Sequence, residues 1–402
     1  MTKHMRTFAI LAVFMIILAA VIIIWLIPRL SIQPEPSSVP GYNIGFGDDT
    51  VKARVLDVLE EGTTQLGDQA QAYQILLVKV QEGPFSGQLL EVDYGLRQFR
   101  PEGLSFQPGD QMLVTVGELP DGTVSGYFTD YVRTQPLLIL FATFVVFSVL
   151  VSGWKGIRSL ISLAISLLVI IHFVIPQILA GQDPVLVSIT GAFFLMTVTL
   201  YLTYGWNFKS HAAVIGTFFS LIVTGLLANF FVIFTRLTGF GSEDALFLVQ
   251  QSQSSINLRG LVLGGMLIGA LGVLDDLVIT QASAVFELHH ADPGQGMRPL
   301  FRSSMRIGQD HVAATVNTLV LAYAGAALPT LLLFTLSGEQ FIYLINFEFV
   351  TEEIVRTLVG SLGLVTAVPI TTLLASFLAT RHNRLGRILP LLGPTNPAGH
   401  HH

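Results

Sequence analysis

Eight apolar runs, each close to the length of a bilayer crossing, leave this chain few folds other than a bundle of membrane helices. They lie at Phe8–Pro28 and at about 136–153, 158–180, 184–204, 211–235, 260–284, 309–336 and 356–380. A helix of about 20 apolar residues crosses a hydrocarbon core ~30 Å thick while keeping every backbone hydrogen bond inside itself. Composition agrees: only 12% of residues are charged, against ~25% in a soluble domain. The net charge of −6 is spread thinly and gives no footing for nucleic acid. Cysteine is absent, which excludes disulfides, thiol catalysis and Cys-ligated metals.

The first run follows Lys3 and Arg6 and lacks a small-residue cleavage site, so it reads as a retained signal anchor. The terminal Gly399-His400-His401-His402 reads as a purification-tag remnant and carries no metal argument. Lys and Arg in short loops mark the cytoplasmic side. With the N-terminus inside, eleven fall there: Lys3, Arg6, Lys155, Arg158, Lys209, Arg298, Arg302, Arg306, Arg381, Arg384 and Arg387. Four fall outside: Arg29, Arg236, Arg259 and Arg356. The expectation is an α-helical polytopic protein of about eight transmembrane helices, N-in and C-in, in a bacterial inner membrane.

Four regions follow: an anchor at 1–28, an extracytoplasmic β domain at 29–133, a seven-helix core at 134–388 and a cytoplasmic tail at 389–402. The β domain opens on an extended linker, Pro34-Glu35-Pro36-Ser37-Ser38-Val39-Pro40. Five strand-like runs follow at 51–59, 73–80, 88–94, 111–116 and 124–131, separated by turn residues such as Glu82-Gly83-Pro84 and Pro108-Gly109-Asp110. Five short strands in this space predict a small barrel of the OB type, with a packing or gating role.

Acids inside a bilayer cost ~2.5–3.5 kcal/mol each on insertion scales, so they mark candidate sites. The sixth run carries Asp275 and Asp276 just past its middle. Adjacent helical residues point about 100° apart, whereas Asp276, Thr280 and Ser283 share a face at i, i+4 and i+7. Asp276 is therefore the bundle-facing candidate, with Asp275 turned toward another neighbour. The seventh run brings Asp310, Thr315, Asn317 and Thr318, with Asp310 near the cytoplasmic boundary and Asn317 about 10 Å deeper. No Lys or Arg lies in either span to neutralise these acids, and an uncompensated carboxylate in low dielectric takes up a proton or holds a cation. A structural role, in which a transmembrane Asp locks helices by hydrogen bonding, competes with this reading, most strongly for Asp310. His172 and Asn229 read as packing residues.

Gly265 and Gly269 form a G-x-x-x-G pattern that admits a close neighbouring helix. Gly363 and the mid-helix Pro369 repeat the theme in the eighth run, where proline frees a carbonyl and invites a kink. The mixed segments at 238–258 and 337–355 suggest helices on the outer interface.

Several pieces resemble the YibE/F-like family of bacterial multi-pass proteins: Gly269-Ala270-Leu271-Gly272, Asp276 with Ser283-Ala284, and Gly308-Gln309-Asp310. So do Asn317–Gly325, Gly360–Leu364 and Pro369-Ile370-Thr371. The resemblance covers the core from about 135 onward; it implies a membrane protein and names no substrate. Anchor, outer domain and helix bundle with buried acids are also similar, as architecture only, to SecD/SecF-type proton-driven permeases, which have five helices after the outer domain.

The expected function is an ion- or proton-coupled permease with Asp276 as coupling residue, Thr280, Asn317 and Thr318 as partners and Asp310 as relay. A membrane assembly or insertion factor is the alternative. A membrane-embedded aspartyl hydrolase comes last, since Gly-x-Gly-Asp is missing. No Walker loop is present, so no nucleotide or other cofactor is expected. The partners are the lipid bilayer, protons or a cation, an unidentified substrate, and further copies of the chain.

Overall fold

A computed structural model describes residues 50–381 apart from 68, 102, 119–122, 252–255 and 339. The anchor expected at Phe8–Pro28, the Pro-rich linker and the C-terminal tail lie outside the described residues. The chain divides into two compact units between Leu150 and Val151.

The first unit contains five antiparallel strands: β1 (Thr50–Leu66), β2 (Gln69–Val80), β3 (Leu89–Tyr94), β4 (Gln111–Glu118) and β5 (Val124–Tyr131). They form one sheet in the order β3-β2-β1-β4-β5. Period-2 burial places Val51, Ala53, Val55, Leu76, Val78, Val80, Val92, Met112 and Val114 in one core. Tyr94, Phe106, Phe128 and Tyr131 close one end of it, with Tyr94 edge-on to Phe106 at 5.0 Å and to Phe128 at 4.9 Å between ring centroids. Buried Gln74 ties in the segment before β4. It accepts from the Phe106 N–H at 2.8 Å and donates to the Phe106 carbonyl at 3.1 Å. The two outer strands also meet, because a Cβ at Gly126 of β5 would lie 3.1 Å from Leu90 and 3.3 Å from Val92 of β3.

All five expected strands are present. β1 and β2 run further than the apolar pattern indicates, pairing from Glu61↔Gln74 to Leu66↔Gln69 and reversing at Gly67, whose φ is 60°. Among the described residues, none from Leu56 to Tyr73 is buried. This ribbon is held by its own ladder, so hydrophobic alternation does not report it.

The second unit is helical, and its first helix starts in the sheet-bearing unit. That helix, α1 (Thr134–Val169), continues through a π-helical turn at Ile170–Val174 into Ile175–Leu179. Together they span 46 residues, about twice what a bilayer needs. Gly153, at φ 55° and ψ −135°, interrupts the helix between the two runs expected there. Then come α2 (Pro184–Tyr204), α3 (Phe208–Phe234), α4 (Glu243–Gln251), α5 (Leu258–Ala291) and α6 (Met297–Ala326). They are followed by α7 (Leu328–Ser337), α8 (Phe341–Leu344) and α9 (Glu348–Arg381).

Four described starts are capped by side chains: Asp183 accepts from the N–H groups of Val185 and Leu186, Asn207 from Ser210, Ser242 from Ala245 and Asn257 from Gly260. α6 and α7 bend by 59° at their junction, where Pro329 lacks an N–H and its ring excludes the carbonyl four residues back. Five described helices are long and apolar enough to cross a membrane, or six if the bent pair is one span. α3, α5 and α9 pack against one another, with α2 on α5 and α6 on both α5 and α9.

Candidate functional site

α5 is the hub of the bundle, and its neighbours approach where side chains are smallest. A Cβ at Gly264 would collide with Ser188 of α2, and one at Gly363 of α9 with Thr224 of α3. At Gly216 of α3 it would sit 2.6 Å from Thr371 Oγ1 of α9. These contacts let helix backbones nearly touch, the packing that drives association where lipid is as apolar as the core. The G-x-x-x-G pair itself points elsewhere. Gly265 and Gly269 are exposed, with Arg356 Nη1 and the Tyr323 hydroxyl at 3.5 Å and 3.4 Å from their would-be Cβ positions. Gly272, next on that stripe, has nothing within 4 Å.

The stripe continues to Asp276 and Thr280, both exposed. The Thr280 hydroxyl donates to the Asp276 backbone carbonyl at 2.7 Å, so it serves its own helix. Asp275 is turned inward, with Oδ1 buried and without a hydrogen-bond partner among the described residues. Tyr204, at the end of α2, lies within electrostatic reach of both carboxylates. Among the described residues neither acid forms a salt bridge.

α6 runs antiparallel beside α5. Gly308 meets Gln281 and Tyr323 meets Gly269, a register that sets Asp276 level with about Ala314 and Thr315. Asp310 and Asn317 therefore lie about one turn to either side of Asp276 in height. Both are exposed, as is Thr318, whose hydroxyl donates to the Ala314 carbonyl at 3.0 Å. The expected grouping of Asp276, Thr280, Asn317 and Asp310 shares one level of the bundle, but the described residues do not enclose it as a pocket.

A different polar cluster is enclosed. Gln281 Nε2 donates to the Ser304 carbonyl of α6 at 3.0 Å and to Thr372 Oγ1 of α9 at 2.8 Å. All three residues are buried. The Thr372 hydroxyl in turn donates to the carbonyl of Val368, one residue before Pro369, at 2.6 Å. The Ser304, Thr371 and Ser376 hydroxyls are buried nearby without a partner in the described residues. The sequence signal for this cluster is a lone amide, Gln281, in a largely apolar run beside the two acids.

Near the N-terminal end of α9, Arg356 pairs with Glu352 at 2.5 Å and with Glu353 at 3.2 Å. The spacing Glu-Glu-x-x-Arg, i+4 and i+3, signals this triad in the sequence. Glu348 accepts from the N–H groups of Thr238 and Gly239, each at 2.6 Å, and from the Thr238 hydroxyl. It thereby fastens the loop after α3 to the start of α9. His172 lies in the π turn, exposed, its Nδ1 3.3 Å from the Leu168 carbonyl. Asn229 is exposed and lines an apolar groove of about 280 Å³ between α2, α3 and α5. No group of three or more metal-ligating side chains occurs among the described residues.

Residues 140–381 match the family described as YibE/F-like protein. No curated protein and no solved structure matches the chain. The matched stretch runs from within α1 to the end of α9, and so contains the α5 carboxylates, the Gln281 cluster and the Arg356 triad. It takes in more than half of the 402 residues, and the chain belongs to the YibE/F-like family.

Proposed function

We propose that this protein is an ion- or proton-coupled membrane permease whose coupling groups are the carboxylates of Asp275 and Asp276. One observation carries the reading: two adjacent acids midway along the central membrane helix, with no salt-bridge partner among the described residues. A carboxylate in that position is stable protonated or holding a cation, and alternates between states as the gradient drives it. Thr280, Asn317 and Thr318 provide polar surface within about one turn of them, and Asp310, near the middle of α6, relays from the cytoplasmic side of that level.

In a single chain the stripe of Asp276, Asp310 and Asn317 is open. Exposure of such groups to lipid is costly, which supports an assembly of copies that covers it. The chain crosses the inner membrane eight times, N-in and C-in, with α1 divided at Gly153 into two crossings. The sheet unit lies outside the cytoplasm. Its strand order and the meeting of β3 with β5 support an OB-like barrel.

Proton or cation flux in proteoliposomes tests the reading, with wild type compared against Asp276→Asn and Asp275→Asn. Flux lost in a folded variant supports coupling through these acids. Flux that survives in both variants, or is missing from wild type under every imposed gradient, overturns it. An assembly or insertion factor is the second reading, favoured by the β1–β2 ribbon, which presents both faces to solvent as a partner-binding element would.

A further inference from the structure

We infer a binding site for a lipophilic organic cation in the groove between α6, α7 and the N-terminal end of α9. The groove has a volume of about 540 Å³, within the range of sites for small molecules. It owes its existence to the 59° bend at the α6–α7 junction, which turns α7 off the line of α6 beside α9. Ala324, Ala326 and Ala327 keep its wall at the bend shallow.

The lining is mostly apolar and aromatic, with Thr330 and Thr357 as neutral polar members and Glu353 as its one charged residue. Phe334 and Phe349, with ring centroids 5.4 Å apart, supply π faces that attract a cation. Glu353 shares Arg356 with Glu352, so two carboxylates meet one guanidinium and the triad keeps a charge of −1. The Glu353 side chain is 33% exposed, more than Glu352 at 16% or Arg356 at 24%, so the excess charge is accessible beside the groove. An apolar groove with one uncompensated negative charge is complementary to a hydrophobic body carrying a delocalised positive charge. A neutral lipid leaves that charge unanswered, and an anionic one is repelled by it. The site stands independently of the transport reading, because binding is measured without flux.

The test uses the full chain in phosphatidylcholine nanodiscs, with tetraphenylphosphonium as probe and tetraphenylborate as its counterpart of like shape and opposite charge. Equilibrium dialysis against empty discs separates the site from partition into lipid. Saturable phosphonium binding is expected, weakened at least tenfold in Glu353→Gln, retained in Glu353→Asp and lost in Leu358→Trp, which fills the groove. Tetraphenylborate is expected to show no saturable binding. Equal binding of both ions, binding by Leu358→Trp as tight as wild type, or no saturable phosphonium binding overturns the proposal. If Glu353→Gln fails to fold, the two-ion comparison on wild type still decides it.

Discussion

Gln281 on α5 and Thr372 on α9 are joined by a 2.8 Å hydrogen bond at a depth where neither residue reaches water or lipid. The same amide holds the Ser304 carbonyl, so one side chain links three membrane helices. Inter-helix hydrogen bonds in membranes average ~0.6 kcal/mol and reach ~1.7 kcal/mol. Thr372→Val should therefore cost roughly 1 kcal/mol and Gln281→Leu about 1–2 kcal/mol, since the latter loses two bonds. Reversible unfolding in mixed micelles, run as a double-mutant cycle, should give a coupling near ~0.6 kcal/mol. A coupling of zero would mean that the bond carries no weight.

Two glycines should respond in opposite directions. Gly363→Ala drives a methyl into Thr224, and such overpacking costs ~1–3 kcal/mol. Gly272→Ala meets nothing within 4 Å and replaces the poorer helix former, a gain of up to ~1 kcal/mol. Thermal midpoints of the two variants, measured side by side, check this; a loss in both would contradict the packing described for the α5 stripe.

What was legible in the sequence was whatever burial writes as periodicity. The five strands and the long apolar helices fall on the expected runs, because apolar alternation and apolar length are the forces that make them. Their ends are displaced: α6 starts at Met297 and α9 at Glu348, upstream of the apolar runs expected from about 309 and 356, because their first turns are polar. The β1–β2 ribbon was invisible beyond Leu59, since both its faces are wet. The G-x-x-x-G pattern indicated a small-residue face, but the closest helix contact uses Gly264, one residue and about 100° away. Acids signalled a candidate site at Asp275 and Asp276. The enclosed cluster instead centres on Gln281, whose uncharged amide costs less to bury and so stands out less in a hydropathy profile.

The loop clamp at Glu348 makes a local prediction. Its carboxylate accepts two backbone N–H groups and a hydroxyl, and hydrogen bonds to a charged group are worth about 1.5–3 kcal/mol where buried, less at this exposed site. Glu348→Ala should speed amide exchange at Thr238 and Gly239 by about tenfold while leaving α5 amides unchanged. Uniform acceleration through the bundle would instead assign Glu348 a global role.

The sheet unit carries a pH signature at its last strand. The Asp130 carboxyl lies below its ordinary value because it accepts from Arg133 at 2.7 Å and from the Tyr131 N–H at 2.7 Å. A depressed folded-state pKa stabilises above the unfolded value near 4, and the contribution disappears as pH falls through the folded value. Asp130→Asn should therefore lower the unfolding midpoint of the sheet at neutral pH and converge with wild type in acid. Equal differences at pH 7 and pH 2.5 would rule this linkage out.

Gly153 decides how α1 meets the membrane. Its φ of 55° with ψ of −135° is a backbone state that suits glycine, and a side chain there brings strain of ~1–3 kcal/mol. The break falls two residues before Lys155 and five before Arg158, charges that the proposed eight-crossing topology assigns to a cytoplasmic turn. Because the chain has no cysteine, single-cysteine variants can be labelled without background. Lys155→Cys should react with a membrane-impermeant maleimide only from the cytoplasmic side, and Gln182→Cys, in the turn before α2, only from the opposite side. Labelling of both residues from one side would make α1 a surface helix or a single long crossing, and the count of eight would fall with it.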